Sequence, residues 1–207
     1  MTRRGPAGPV PGPPADLASR DLPLLDAQRG SRFCCIHRTG RDAIFFSPGP
    51  GKPPAGRFDS ATGRFGVLYA GLSLDCAFAE VLLRNPARSI VSLSEVAARS
   101  FVAIGLHADI RLVDLTGPGL SRLGLDARVL SGGYEVCGAW ADALHDHRER
   151  PAGILYPPRF DPSERCVALF DRAAPHLDPG TESVPLGERP HDVAAALDRY
   201  GKALDPG

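Results

Sequence analysis

Six short apolar bursts constrain this chain more than any other feature. They are 32–37 (RFCCIH), 66–70 (GVLYA), 101–106 (FVAIGL), 110–115 (IRLVDL), 152–156 (AGILY) and 166–170 (CVALF). Runs of that length between Gly, Pro and Asp read as buried strands, too short for core helices. The 101–106 and 110–115 bursts read as a strand pair turning at Ala108 and Asp109. Helical periodicity is confined to three places. After Ser73, a good N-cap, residues 74–85 carry apolar side chains at 74, 77, 78, 81 and 82, with Pro86 just past the end. Residues 132–147 place Val136, Trp140 and Leu144 on one stripe, and 190–200 suit a C-terminal helix. Strands and helices do not alternate regularly, so the expectation is α+β, with small mixed or antiparallel sheets and flanking helices, over a doubly wound sheet.

The ends and loops differ in kind from this core. The first fourteen residues hold five Pro and three Gly, so residues 1–20 are expected to be a disordered arm. Residues 21–207 are then one domain, with 21–29 laying a short apolar stretch on it. The loop 39–63 contains SPGPGKPPAGRFDSATG, and a loop so long in a compact domain is more often a binding element than filler.

Charge and cysteine usage exclude several classes. Lys plus Arg number 24 and Asp plus Glu 24, so the chain lacks the basic footprint of a dedicated nucleic-acid binder. No apolar run spans a membrane, and the basic N-terminus never reaches the apolar core of a secretory signal. A soluble, cytoplasmic protein is expected. The five cysteines include no C-x-x-C and sit in apolar segments, which reads as small buried hydrophobes and not as a disulfide scaffold or zinc ribbon. His145 and His147 point to different sides of a helix, and no third ligand is placed for a metal. The Gly-Pro-Gly pieces at 49–51 and 117–119 lack the strand–loop–helix setting of a phosphate cradle.

Four polar residues stand where apolar ones are expected. Arg38 ends an apolar burst, Arg57 follows a Gly in the long loop, Tyr69 lies inside GVLYA, and Glu80 lies among Ala79, Val81 and Leu82. Each also has a plain structural reading. Arg38 suits a solvated strand end, Tyr69 a core aromatic with its hydroxyl at the rim, and Glu80 the solvent face of its helix.

Their order resembles the RES domain family, named for its Arg, Glu and Ser residues. The resemblance runs from about 33 to 170. It rests on I-H-R-T-G at 36–40, A-G-R-F-D at 55–59, G-V-L-Y-A at 66–70 and A-E-V-L at 79–82. It continues with V-D-L at 113–115, Tyr134 and Trp140 with A-W-A-D-A-L, then G-I-L-Y-P-P-R-F and C-V-A-L-F. What the resemblance implies is a fold similar to the ADP-ribosyltransferase toxins and degradation of NAD⁺ by phosphorolysis or hydrolysis of the nicotinamide–ribose bond. NAD⁺ is then a substrate, with inorganic phosphate a conceivable co-substrate and no resident cofactor or metal. It also implies a toxin paired with an Xre-type antitoxin; any contact with DNA would come from that partner. Homo-oligomerisation stays open.

Carried over by position, Arg38 and Arg57 match the family's basic pocket residues, Tyr69 its pocket tyrosine and Glu80 its glutamate. Glu80, Tyr69 and Arg57 are thus the catalytic candidates, and Arg38, Arg57, Tyr69 and Arg159 the substrate-binding ones. The chemistry suits them. A carboxylate stabilises the positive charge that builds on ribose C1′, an aromatic ring stacks on nicotinamide, and arginines take phosphate oxygens bidentately. One departure stands out: where the family has Y-x-S-R, this chain has Tyr156, Pro157, Pro158 and Arg159, so Pro158 replaces the serine. Ser163 could replace it only if the loop folds back. The alternatives are a catalytically weak homologue that binds NAD⁺ or a partner, and an ADP-ribosyltransferase acting on a macromolecule.

Overall fold

The structure is a computed structural model that describes residues 10–205 apart from 50, 86, 131, 179 and 181; Pro86 and residues 1–9 of the expected arm lie outside the described residues. In chain order the strands and helices begin β1 (Leu24–Ala27), β2 (Arg32–Arg38), β3 (Val67–Gly71), α1 (Leu74–Val81), β4 (Ile90–Ser92), α2 (Leu93–Ala97) and β5 (Arg99–Leu106). Then follow β6 (Ile110–Asp114), α3 (Pro118–Arg122), α4 (Tyr134–His145), β7 (Gly153–Tyr156) and β8 (Cys166–Phe170). The chain closes with β9 (Leu177–Asp178), β10 (Val184–Pro185), α5 (Pro190–Arg199) and β11 (Ala203–Asp205). This is an α+β architecture, and all six apolar bursts are strands.

The large sheet runs β1-β6-β7-β8-β3-β2-β5-β10, with β9 also on β5. It is antiparallel except where β6 and β7 pair in parallel. A small second sheet joins β11 to β4 in parallel. The expected hairpin of β5 with β6 does not form. β5 pairs with β2 in a seven-residue register, and β6 pairs with β1 and β7. Five inter-strand gaps separate β5 from β6 along the sheet, about 24 Å if it were flat. The short link from Leu106 to Ile110 can reach only about 14 Å. The sheet therefore wraps back on itself, and its two arms enclose a core of Phe33, Val102, Ile104, Leu112, Leu155 and Leu169. The stretch expected merely to rest on the domain supplies β1, which takes the edge of β6 that a hairpin would have used.

The convex side buries a second core, in which Phe65, Val67, Ile154 and Phe170 meet Trp140, Ala141 and Leu144 of α4. Under α1, α2 and α5 a third core gathers Ile36, Phe78, Val96, Val193 and Leu197. Strands β7 and β8 are buried along their whole length, as central strands covered on both faces must be. Residues 10–20 lie against α4. Leu17 is buried, Trp140 donates its indole N–H to the Pro11 carbonyl at 2.9 Å, and His147 Nε2 sits 3.1 Å from the Arg20 carbonyl. Residues 90–97, to which patterning assigns nothing, form β4 and α2, the latter closed by a capping box of Ser92 and Glu95.

No helix of the described residues is long and apolar enough to cross a membrane. The structure also joins Cys76 of α1 to Cys166 of β8 in a disulfide, where apolar packing alone was expected. The pairing brings together cysteines ninety residues apart, which spacing in the chain does not reveal.

Candidate active site

Residues 55–63 cross one end of the wrapped sheet, and two buried carboxylates fix them there. Asp59, 1% exposed, accepts the backbone N–H groups of Ala55 and Gly56 on one oxygen. On the other it accepts the Tyr69 hydroxyl at 2.8 Å. That hydroxyl in turn accepts the Phe58 N–H at 2.9 Å. Asp142 of α4 takes the Ser60 hydroxyl at 2.6 Å, and the Thr62 N–H and hydroxyl at 3.1 and 2.9 Å. Gly56 is required for the approach, since a Cβ there would stand 2.6 Å from the Tyr69 ring. Burial, then the Asp59 carboxylate, pushes the Tyr69 hydroxyl well above its usual range, so it stays protonated.

Arg57 is carried between those two anchors. Its Nη1 is buried with no hydrogen-bond partner. Across the same cavity stands α1, whose start is set by Ser73 accepting the Cys76 N–H at 3.0 Å. Ser73 also donates to Glu164. The helix presses close to β3, because a Cβ on Gly71 would lie 2.8 Å from the Ala77 nitrogen. Residues 76–79 are buried, and one step on Glu80 turns its Oε1 into the cavity, also without a partner. Each belongs to a half-buried side chain, and a charged atom left without a hydrogen-bond partner is a position that a ligand can satisfy at a gain. Two such atoms of opposite sign in one cavity mark a place shaped for something else to bind.

That cavity has a volume of about 250 Å³ and is lined by Arg57, Tyr69, Glu80 and Arg159 among the residues singled out from sequence. Arg159 is itself exposed, its guanidinium 5.9 Å from the Phe160 ring centroid. Arg38 is not brought to the lining. It is exposed at the end of β2, although strand alternation puts it on the face shared by Cys34 and Ile36, which do line the cavity. It stands opposite Arg99 in the β2–β5 register, and Arg99 is pulled below the usual arginine value first by burial, then by Arg38 and Arg84. Arg38, Arg99 and Arg84 are thus near neighbours, and of the three only Arg84 lines the cavity. Ser163 does not fold back: it is exposed, and its hydroxyl and N–H both go to Asp161. Pro158 is buried and brings no donor.

Sequence reasoning gave no site role to three polar lining residues, Tyr156, Arg84 and Tyr134. Tyr156, 2% exposed at the end of β7, packs edge-on against Phe58 with ring centroids 4.9 Å apart. Burial first, and then the Glu80 carboxylate, raises its hydroxyl above the ordinary tyrosine range. Arg84, one turn beyond Glu80, and the exposed Tyr134 at the start of α4 also line it. The signal for Tyr156 was a tyrosine closing a fully apolar burst, the same signal that flagged Tyr69. His145 and His147 diverge, as their spacing implied. His145 stacks on Phe65 at 4.0 Å and sits 2.7 Å from an Arg172 nitrogen. Among the described residues no group of three or more His, Cys, Asp or Glu could hold a metal ion.

Comparison with known proteins bears on the family and the fold. The pattern of the RES domain matches residues 32–192. A probable toxin of Sinorhizobium fredii, y4kH, is 33% identical over 113 residues, which is 53% of this chain and 86% of that protein. The crystal structure of the M. tuberculosis MbcT–MbcA toxin–antitoxin complex contains a chain that superposes with a TM-score of 0.61. That likeness covers 82% of this chain and 92% of the other at 20% identity, and is a likeness of fold.

Proposed function

Because the chain belongs to the RES domain family, we propose that it is a toxin-like enzyme whose cavity binds NAD⁺ and cleaves the nicotinamide–ribose bond. The observation that carries this reading is the pair of unpartnered, oppositely charged atoms, Arg57 Nη1 and Glu80 Oε1, in one cavity. A ligand with ribose hydroxyls near a cationic centre and phosphates further along satisfies both.

In the proposed reaction the bond from ribose C1′ to the nicotinamide nitrogen breaks heterolytically. Its electron pair stays with nicotinamide, which leaves neutral, and positive charge gathers on C1′ and the ring oxygen. Glu80 accepts hydrogen bonds from the ribose hydroxyls and stabilises that charge. Arg57 and Arg159 hold phosphate oxygens, and the positive charge of Arg84 in the lining, with Arg38 on the strand face of Cys34 and Ile36, draws the anion in. Tyr69 offers its ring as a wall for nicotinamide. Its hydroxyl, engaged by Phe58 and Asp59, is left out of the proton chemistry. Water then adds to C1′ and gives up its proton, yielding ADP-ribose. Water is preferred to phosphate as acceptor because Pro158 has no hydroxyl and Ser163 lies outside the lining. NAD⁺ is the substrate, and no resident cofactor enters the scheme. A small antitoxin covering the cavity mouth is the expected partner, by analogy with the toxin–antitoxin complex of like fold.

The test is NAD⁺ consumption by purified protein with and without inorganic phosphate, products separated by chromatography. Loss to nicotinamide and ADP-ribose without phosphate is expected, abolished in Glu80→Gln at unchanged melting temperature. Wild-type turnover in that variant would remove Glu80 from the mechanism. Pro158 also favours a second reading, a binding module without turnover; saturable NAD⁺ binding with no product would establish it.

A further inference from the structure

We propose that Cys76 and Cys166 form a redox-active site at the floor of the cavity, which small thiols reduce and which thereby sets the position of Glu80. This deepens the proposed function, since it concerns regulation of the same site. Three observations place the sulfurs. Cys34 of β2, Gly71 of β3 and Cys166 of β8 are direct register partners, so they stand side by side across three neighbouring strands. Gly71 contributes no side chain to that row, and Cys76 of α1 fills the space, with its Cβ 2.8 Å from where a Gly71 Cβ would be. Cys34 and Cys166 line the cavity, Cys166 at 2% exposure, whereas Cys76 is wholly buried and outside the lining.

The bond therefore links the helix that carries Glu80 to the strand that floors the site. Cys76 and Glu80 are four residues apart on α1, on one helix face, so a movement at the sulfur is transmitted to the carboxylate. Two thiols in van der Waals contact stand about 1.5 Å further apart than two bonded sulfurs. Reduction consequently pushes α1 away from β8. Displacements of that size at a catalytic group cost about tenfold or more in rate.

The reductant comes from solution. Burial pushes the Cys34 thiol up, which leaves it protonated and a poor nucleophile despite its place in the lining. A small thiolate entering the cavity attacks Cys166 Sγ, forming a mixed disulfide and releasing Cys76 as a thiolate that takes up a proton. A second equivalent of the thiol resolves the mixed disulfide. The balance is two small thiols oxidised to one disulfide for two protein thiols formed.

The experiment equilibrates the full-length protein in glutathione buffers from fully reduced to fully oxidised. Each sample is acid-quenched and alkylated for peptide mass spectrometry, and assayed in parallel for NAD⁺ loss. The Cys76–Cys166 pair is expected to pass from dithiol to disulfide across the series, with turnover rising about tenfold in step. Cys166→Ala should show the slow rate in every buffer. Cys76→Ala serves as a second variant, with calorimetry establishing that each is folded. Absence of the disulfide at every ratio overturns the site, and conversion without a change in turnover overturns its coupling to Glu80. If no form consumes NAD⁺, the proposed function fails separately. Amide exchange across residues 74–81 then decides, and equal protection in the two redox states overturns the proposal.

Discussion

Two loops bring an arginine to the cavity, and they hold it in opposite ways. Residues 55–63 carry Arg57 on a frame anchored by Asp59 and Asp142, both buried and both bonded to backbone or hydroxyl donors of the loop. Residues 157–165 carry Arg159 on a frame tied at the surface. There Asp161 and Glu164, each 15% exposed, meet Arg199, which is 44% exposed and open to solvent screening, and Tyr200 donates to Asp161 at 2.9 Å. Buried carboxylates accepting N–H groups act in a low dielectric and fix geometry firmly. Exposed ion pairs contribute about 1 kcal/mol or less and leave the chain free to adjust. The difference teaches where preorganisation lies: in the proposed reaction Arg57 waits in place for the ligand, and Arg159 can follow it in.

The sharpest way to break that contrast is Asp59→Ala. It strands the Ala55 and Gly56 N–H groups and frees Tyr69, so stability should fall by about 3 kcal/mol, a drop of roughly 6–12 °C in melting temperature. NAD⁺ turnover should fall at least about a hundredfold, as expected when a fixed group drifts. Calorimetry and the NAD⁺ assay read both, and a stable, active variant would refute the anchoring role.

Next comes the comparison of Arg57→Ala with Arg159→Ala. The first should lower kcat/KM about tenfold or more, on the scale of a charged hydrogen bond, at an unchanged melting temperature, because Nη1 of the half-buried guanidinium has no hydrogen bond to lose. The second should raise KM about threefold and leave kcat alone. A larger effect at Arg159 would reverse the assignment of fixed and mobile cation. Tyr156→Phe keeps the packing on Phe58 but removes the cavity hydroxyl, so KM should rise about fivefold at unchanged melting temperature. Ser163→Ala should change neither constant, because its hydroxyl serves Asp161.

The smallest effect is expected at an exposed site. Paired first with Arg88 and then with the Ser92 N–H, Glu95 is held down to about 2. A carboxylate depressed in the folded state stabilises above its unfolded pKa and loses that contribution as pH falls through the folded one. The melting temperature of wild type should therefore exceed that of Glu95→Gln by a constant, small amount above about pH 5, and the two should converge toward pH 2. A gap that widens in acid would contradict the pairing.

Much of the fold was legible because strands and helices here obey local rules. RFCCIH, GVLYA and CVALF could only be buried strands, and Ser73 could start a helix wherever that helix packed. Tyr69 and Glu80 could be flagged because polar groups among apolar neighbours need a reason. Arg38 carried an equally good local signal, yet it does not line the cavity, because a strand end defaults to solvent. Tyr156 went unassigned since a hydroxyl closing a strand reads identically whether it meets water or a carboxylate.

What the sequence by itself determined is the set of elements and the short list of groups able to do chemistry, for these follow from side-chain size, polarity and spacing over a few residues. Only the tertiary structure decided that β5 and β6 part, that Cys76 finds Cys166, and that Arg57 and Glu80 face one cavity with atoms unpaired. Those outcomes depend on which distant surfaces exclude water together, a property of the whole packed sheet that no local stretch of chain contains.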